Sequence, residues 1–221
     1  MHEKITSEVF QIGGPYFTSN DDAAVYLVRV DDSAALIDAG CGGDPARLLD
    51  NVRECGVICE NIKYLLITHC HIDHTGGARA LIDILDCRVA AHKLDAVFLE
   101  SGDNMATAAT WYGRTIKPFK VDIKFEAARE EIDLNGRVIT AIHVPGHSPG
   151  SVVFEFESDG KKVLFGQDVH GPLHPVLKSD QNDYIRSLKK MMALNADILC
   201  EGHFGIIRGK DEVRRFIESY L

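Results

Sequence analysis

The chain has 221 residues, of which 45% are hydrophobic and 26% charged, and its formal net charge is −9. This composition is typical of a soluble globular protein and argues against a disordered or fibrous one. The acidic balance makes a nucleic-acid substrate unlikely, because binding to phosphate backbones depends on Lys and Arg. We find neither a secretory leader nor an apolar run of membrane-spanning length, so the sequence predicts a cytoplasmic protein without a membrane segment.

The first half of the chain alternates between strand-like and helix-like patterns. The predicted strands are apolar and partly β-branched, and they are VYLVRV (25–30), AALIDAG (34–40), KYLLITH (63–69) and CRVAAH (87–92). The predicted helices lie at 44–56, 77–86 and 92–100. The segment 102–119 carries Met105, Trp111 and Tyr112, and this composition suits either a lid over an apolar substrate or a helix packed on the sheet.

The second half is rich in strands. Two hairpin turn signals, Asn135-Gly136 and Asp159-Gly160, separate short apolar runs. The predicted strands lie at 132–134, 137–144, 151–157, 161–168 and 196–202, and the predicted helices at 184–194 and from Asp211 onward. Since no repeat or linker divides the chain, we expect residues 1–221 to form a single mixed α/β domain. The six scattered cysteines are expected to be reduced, buried thiols.

The stretch THCHIDHTGG, which begins at Thr68, places three histidines and one aspartate within six positions. Imidazole and carboxylate groups suit a borderline divalent cation such as zinc. The candidate ligands are His69, His71, Asp73 and His74. They exceed what one tetrahedral catalytic site uses, so we expect two neighbouring metal ions. A loop flexed by Gly76-Gly77 would turn the first two histidines one way and the other two residues another.

Three further candidates each follow an apolar, strand-like run and lie near a glycine. They are His147 in PGHSPG, Asp168 in FGQD and His203 in EGH. Taken singly, each is weak evidence, because an isolated histidine after a strand is more often a surface or hydrogen-bonded residue. Their value lies in their order along the chain.

That order is T-H-x-H-x-D-H-x-G-G, then P-G-H-S-x-G, then G-x-D after a strand, then a final G-H. It resembles the metallo-β-lactamase-fold hydrolase superfamily from AALIDAG to His203. The size and the His-x-His-x-Asp-His form are most similar to glyoxalase II and acyl-homoserine lactonase relatives. The resemblance implies an α/β fold, a four-layer αββα sandwich of two mixed β-sheets with helices on the outer faces.

The resemblance also implies a ligand set of His69, His71 and His147 for one metal ion and Asp73, His74 and His203 for a second, with Asp168 bridging both. Zinc is the favoured metal, and iron or manganese are alternatives for the same ligands. Asp73 and Asp168 are the implied catalytic residues, since they bind metal and orient a hydroxide shared by two ions. Asp38 is a candidate to hydrogen-bond a ligating histidine, and Tyr112 and His170 are candidates to face substrate. A turn carboxylate and a solvent-facing loop histidine are the alternative interpretations of Asp38 and His170.

The predicted function is therefore metal-dependent hydrolysis of a small acyl substrate such as a thioester or a lactone, with a bridging hydroxide as nucleophile. One alternative is a mononuclear iron sulfur dioxygenase, similar to persulfide dioxygenases, that uses His69, His147 and Asp168. Another is a metal-binding module without catalytic activity. The complete second ligand set favours hydrolysis. The expected partner is a small-molecule substrate, and the sequence leaves homo-oligomer formation open.

Overall fold

The computed structural model describes residues 1–166 and 168–221, and in them the chain forms two mixed β-sheets. The seven-stranded sheet has the order β1-β2-β3-β4-β5-β6-β7. Its strands are β1 Glu3–Lys4, β2 Val9–Gly13, β3 Val25–Val30, β4 Ser33–Ile37, β5 Ile62–Leu66, β6 Arg88–His92 and β7 Ile123–Phe125. Neighbouring strands are antiparallel from β1 to β4 and parallel from β4 to β7.

The six-stranded sheet has the order β13-β12-β11-β10-β9-β8. Its strands are β8 Arg129–Leu134, β9 Arg137–His143, β10 Val152–Ser158, β11 Lys161–Phe165, β12 Ile198–Cys200 and β13 Ile206–Arg208. Only β11 and β12 are parallel among these pairs. The Asn135-Gly136 and Asp159-Gly160 turns join β8 to β9 and β10 to β11, and all four turn residues have positive φ, as such turns require.

Six α-helices lie within the described residues. They are α1 Pro45–Glu54, α2 Ile72–Thr75, α3 Ala78–Leu85, α4 Lys93–Ser101, α5 Gln181–Ala193 and α6 Lys210–Glu218. Helix α1 begins where the sequence predicts, because the Asp44 carboxylate accepts a hydrogen bond from the Arg47 amide at 2.9 Å and Pro45 follows it. The longest of the six, α5, has 13 residues, and none of the described helices is long and apolar enough to cross a membrane.

Three apolar clusters show how these elements are layered. The central cluster joins the inner faces of the two sheets, with Val28 and Ile37 from one sheet and Phe154 and Phe165 from the other. A second cluster packs α1, α3 and α4 on the outer face of the seven-stranded sheet, and a third packs α5 and α6 on the outer face of the six-stranded sheet. The predicted four-layer αββα sandwich is confirmed.

The structure departs from the sequence prediction in a few segments. Strands β1, β2, β7 and β13 and the short helix α2 were not predicted. Segment 102–119 is built mainly from turns, with a 3-10 helix at Ala109–Tyr112, and is not a long helix. The strand predicted at 161–168 ends at Phe165, and Gln167 lies outside the described residues. All six cysteines are free and buried, as expected.

The loops that follow five strands meet at one edge of the sandwich. These strands are β4, β5, β9, β11 and β12. Backbone hydrogen bonds connect the two sheets there, since the Val152 amide donates to the Thr68 carbonyl and the Ala24 amide to the Gly202 carbonyl, both at 2.8 Å. Because every predicted metal ligand lies in these loops or in α2, this edge is where the candidate site forms.

Candidate metal centre

Three histidines and an aspartate form what we call the first ligand group. Its members are His69, His71, His147 and Asp168, whose ligand atoms all lie within 4.8 Å of one another. Nε2 of His69 lies 3.0 Å from Nδ1 of His71 and 3.2 Å from Nε2 of His147. All four residues are buried. Three imidazole nitrogens converging in a buried space is an arrangement that suits a divalent cation.

A second ligand group lies beside the first. Its members are Asp73, His74, His203 and, again, Asp168, with ligand atoms within 4.8 Å of one another. Nε2 of His203 lies 3.1 Å from Oδ2 of Asp73, and Nε2 of His74 lies 3.0 Å from Oδ1 of Asp168. The side chain of His203 is 30% exposed. The others are buried, so the pair of groups opens to solvent on the His203 side.

Asp168 belongs to both groups, and its two carboxylate oxygens face different histidines. Oδ2 lies 3.5 Å from Nε2 of His147 and 3.9 Å from Nε2 of His69. Oδ1 lies 3.0 Å and 3.4 Å from Nε2 of His74 and of His203. The carboxylate therefore stands between the two groups.

Buried polar atoms without hydrogen-bond partners test whether these residues suit a metal ion. Within the described residues such atoms include Nε2 of His71, Nε2 of His74 and Oδ1 of Asp168; the last two lie 3.0 Å apart but do not form a hydrogen bond. A buried polar group without a partner costs free energy, and metal coordination would remove that cost for His74 and Asp168. The donor set and its unsatisfied atoms fit bound divalent metal.

Other hydrogen bonds hold the ligand side chains in place. Oδ2 of Asp38 lies 2.7 Å from Nδ1 of His74, and the same carboxylate accepts bonds from the amide and hydroxyl of Thr68 at 2.8 Å and 2.7 Å. Nδ1 of His147 lies 3.1 Å from the Pro172 carbonyl oxygen. When Nδ1 donates to such an acceptor, Nε2 is left free to bind metal, and the ring orientation is fixed.

The two groups differ in their electrostatics. Burial and, after it, the neighbouring histidines lower the pKa of His69 well below its usual value and that of His71 to about 3. Burial also opposes the charged forms of His74 and His203. In their case nearby carboxylates outweigh burial, raising the pKa of His74 well above its usual value and that of His203 to about 10. Without metal, His69 and His71 are therefore neutral at pH 7, whereas His74 and His203 are protonated.

The structure places the remaining candidates around this centre. Tyr112 is partly exposed, and burial followed by the Asp73 and Asp168 carboxylates raises its pKa, so its phenol lies near the second group and stays protonated. Nδ1 of His170 lies 2.9 Å from Oε1 of Glu201. The His170 ring also meets the His203 ring edge to face, with centroids 5.2 Å apart. Asp38, Tyr112 and His170 all lie at or beside the ligand groups.

Close backbone approach explains the glycine beside one of the ligands. A Cβ on Gly202 would lie 2.4 Å from Oδ1 of Asp168 and 3.0 Å from Cε1 of His74. A side chain there would collide with the ligands or displace them. The glycine in the EGH motif therefore makes room for Asp168.

Two buried carboxylates that the sequence analysis did not select contact the ligand loops. Asp95 in α4 accepts hydrogen bonds from residues next to His69 and His147, and Glu201 accepts them from residues next to Asp168 and His203. The one available signal was an acidic residue at an otherwise apolar position, Asp95 in KLDAVFLE and Glu201 in ILCEG.

The fold and the two ligand groups define an αββα sandwich protein with residues placed to bind metal. A family model described as the metallo-beta-lactamase superfamily matches residues 20–203. The chain belongs to that superfamily, and the resemblance inferred from its motifs is confirmed.

Curated relatives include hydrolytic enzymes of two kinds. The acyl-coenzyme A thioesterase MBLAC2 of Gallus gallus is 29% identical over 248 residues, which cover 100% of this chain and 86% of the relative. The hydroxyacylglutathione hydrolase GloC of Haemophilus influenzae is 33% identical over 175 residues, which cover 76% of this chain and 77% of the relative. These relatives place the chain in a superfamily of metallo-hydrolases.

Solved structures show the same fold. A metallo-beta-lactamase from Cronobacter sakazakii aligns with a TM-score of 0.83 and 21% identity, over 99% of this chain and 90% of that one. A subclass B3 metallo-beta-lactamase of Bradyrhizobium japonicum aligns with a TM-score of 0.80 and 22% identity, over the same shares of the two chains. At these identities the likeness concerns the fold alone.

Proposed function

We propose that this protein is a hydrolase with a dinuclear metal centre that cleaves a small thioester. The observation that carries the proposal is the position of Asp168, whose two oxygens face two separate groups of histidine donors. The first ligand group would hold one ion and the second ligand group the other, with Asp168 shared. Zinc suits these nitrogen and carboxylate ligands, and iron or manganese would use the same atoms.

The chemistry of such a centre is known in general terms. Two bound divalent ions lower the pKa of water enough to supply a nucleophile near neutral pH, and they polarise an acyl carbonyl. The protein contributes the rest. Asp73 and Asp168 compensate metal charge and accept hydrogen bonds, so they can orient the attacking water. Tyr112 retains its phenolic proton and can donate a hydrogen bond to the substrate carbonyl oxygen at the open side of the centre.

Two features of the relatives favour a thioester over a lactone. The full-length match is to proteins named as acyl-coenzyme A thioesterases, and the shorter match is to a protein named for hydroxyacylglutathione, whose acyl group is carried on sulfur. A sulfur leaving group suits a two-ion centre, since one ion can stabilise the thiolate as it departs. A lactone remains the second acyl substrate to test.

Two further inferences concern the domain organisation and the location of the protein. We take residues 1–221 as one domain, because the segments outside the matched residues 20–203 pack onto it: β2 pairs with β3, and α6 packs with α5. Six free, buried cysteines support a reducing compartment such as the cytoplasm.

Metal analysis and substrate hydrolysis, performed on the same sample, test the proposed function. We expect two zinc-class ions per chain by inductively coupled plasma mass spectrometry. We also expect turnover of an acyl-coenzyme A or an acylglutathione that a chelator abolishes and added metal restores. One iron per chain with no hydrolysis of thioester or lactone would contradict the proposal and favour oxygen-dependent sulfur chemistry. Two ions without turnover on any acyl substrate would favour a non-catalytic metal-binding module.

Asp168→Ala provides the residue-level test. Because the carboxylate is shared between both groups, we expect the variant to lose metal and activity together. Asp159→Ala is the matched control, since Asp159 is exposed and bonds to Ser7, away from the centre. Two retained metal ions and full activity in Asp168→Ala would remove that residue from the bridging position.

A further inference from the structure

Glu201 connects two loops that carry ligands of the second group. Its carboxylate is fully buried, with 0% of the residue exposed. Oε1 accepts hydrogen bonds from the Val169 amide at 3.0 Å and lies 2.9 Å from Nδ1 of His170. Oε2 accepts bonds from the amides of His203 at 2.6 Å and Phe204 at 2.9 Å. One oxygen holds the loop after β11 and the other holds the turn after β12.

Asp95 connects the loops of the first group in the same manner. It projects from α4 and is also 0% exposed. Oδ2 accepts bonds from the Cys70 amide at 2.9 Å and the Ser148 hydroxyl at 2.6 Å, and Oδ1 accepts one from the Gly150 amide at 2.7 Å. Cys70 separates the first two histidines of the metal motif, and Ser148 follows the third.

Glu201 does not have the free capacity that a metal ligand needs. A carboxylate oxygen offers about two lone-pair sites, and each oxygen of Glu201 already has two partners. This matters because the ligand atoms of Asp168, His170 and Glu201 also lie within 4.8 Å of one another. Asp95 accepts three bonds and, among the described residues, belongs to none of the groups of converging ligand atoms. Both side chains act on the metal centre through the loops they hold.

We propose that Asp95 and Glu201 are positioning residues, each of which sets the geometry of one ligand group. This inference rests on the proposed two-metal centre. The contacts divide cleanly. The partners of Glu201 all lie within two residues of Asp168 or His203, and those of Asp95 lie within three residues of the histidines of the first group. Asp168 belongs to both groups, so a change in its position also affects the first group. The other ligands of the first group are histidines that Glu201 does not contact.

The division predicts selective losses of metal affinity. In Glu201→Gln an amide NH2 group replaces one carboxylate oxygen. The NH2 group cannot accept the hydrogen bonds that this oxygen accepted, so one of the two loops is no longer held. We expect the affinity of the second group for metal to fall about 10- to 100-fold, the usual effect of removing a residue that orients metal ligands. The first group should change less than about threefold. Asp95→Asn should show the reverse pattern.

The test uses the full chain after removal of metal with a chelator. Titration with Zn²⁺ against a chromophoric competitor gives the two affinities, and titration with Co²⁺ gives an absorption spectrum that reports the coordination of each ion. Asp73→Ala lacks one ligand of the second group, so the binding event that this variant weakens belongs to the second group. Circular dichroism and thermal unfolding of the metal-free variants show that the fold is retained, and Glu201→Asp supplies a second variant that keeps the charge.

Glu155→Gln is the matched control. Glu155 is a buried glutamate in β10 that pairs with Arg129 at 3.0 Å and Lys162 at 3.3 Å and contacts no ligand loop. The Glu155→Gln variant should change the thermal stability without changing the affinity of either ligand group for metal. Equal weakening of both groups in Glu201→Gln and Asp95→Asn, or a loss of stability alone, would overturn the positioning role. A third metal equivalent lost with Glu201 would make it a ligand and also overturn the inference. A wild-type chain that binds fewer than two ions would overturn the proposed centre itself, so the two failures are distinguishable.

Discussion

Metal binding to the second ligand group should release protons, whereas binding to the first should release few. The reason is the opposite protonation of their histidines in the metal-free protein. Carboxylates outweigh burial at His74 and His203, so both are protonated at pH 7, and metal must displace those protons. His69 and His71 are already neutral, because burial and neighbouring histidines lower their pKa values. We expect about two protons to be released from His74 and His203 on filling the second group, and none from His69 and His71 on filling the first.

The size of the effect follows from His203. Its pKa is about 10, so at pH 7 the ring lies about three pH units below its titration midpoint. Removing that proton at pH 7 costs about 4 kcal/mol, or roughly a thousandfold in apparent affinity. The affinity of the second group should therefore rise about tenfold per pH unit for each proton displaced, while that of the first should be nearly flat above pH 6.

Isothermal titration calorimetry of the chelator-treated protein in buffers with different ionisation enthalpies measures the released protons directly. The binding enthalpy of each step varies linearly with the buffer enthalpy, and the slope is the proton count. In His203→Ala, any metal binding that remains at the second group should release about one proton fewer. The calorimetric slope and the pH dependence of the affinity should both fall accordingly. His174→Ala is the control, because His174 is exposed and belongs to neither group. Equal proton release in both steps, or a pH-independent second step, would refute the electrostatic reasoning.

Three further predictions follow from other contacts. Asp38→Asn should weaken metal binding at the second group about tenfold by removing the charge 2.7 Å from Nδ1 of His74, and competition with a chelator would show this; unchanged affinity would contradict it. Gly146→Ala should destabilise the metal-free protein by more than about 3 kcal/mol in urea unfolding, since φ is +132° and the new Cβ would lie 2.2 Å from a backbone nitrogen. Gly160→Ala, with φ +68° and no neighbour within 4 Å, should cost only about 1 kcal/mol, so equal losses would count against the steric argument. Between pH 6.5 and pH 5 the metal-free protein should lose about 2 kcal/mol of unfolding free energy from His71 alone, because the unfolded ring takes up a proton that the folded ring, with a pKa of about 3, refuses; equal stability at the two pH values would disprove it.

Much of the fold could be predicted because the local signals agree with the final packing. The predicted strand at 25–30 matches β3, and the predicted helix at 44–56 contains α1, where Asp44, Pro45 and Gly56 mark the two ends. The hairpins at Asn135-Gly136 and Asp159-Gly160 are likewise set by residues that accept positive φ. The residues that determine these elements lie within them or directly beside them in the sequence.

The division of the THCHIDHTGG motif into two directions was predicted, but the device that produces it was not. We expected a loop flexed by Gly76-Gly77. Instead Asp73 and His74 lie on the short helix α2, which follows the extended His71. The two glycines have ordinary negative φ, and they are required because a Cβ would lie 2.5 Å and 2.2 Å from the carbonyl oxygens of Cys41 and Ala39. The four residues of α2 are too few to show helical periodicity. The close approach of Gly76 and Gly77 to another loop cannot be recognised from the residues around them.

Asp95 and Glu201 could not be recognised from the sequence for a related reason. The partners of Asp95 lie 25 to 55 positions away in the chain. Glu201 bonds to the nearby amides of His203 and Phe204 and also to the amide of Val169, 32 positions away. A carboxylate that bonds to backbone places no demand on the identity of its partner, so no second motif accompanies it. Strands β1, β7 and β13 were missed because two or three residues are too few to show alternation, and β2 is buried along its whole length and so lacks an alternating pattern.

The contrast between the two ligand groups also implies an order of metal loading. At pH 6 metal binding to the first group displaces no proton from His69 or His71, whereas binding to the second must displace protons from His74 and His203. A chain given one equivalent of Zn²⁺ at that pH should therefore hold it in the first group, and raising the pH should fill the second as metal is added. Hydrolysis that appears only with the second equivalent would tie activity to the two-ion form. Full hydrolysis at one equivalent would instead assign the chemistry to the first group and leave the second with a supporting role.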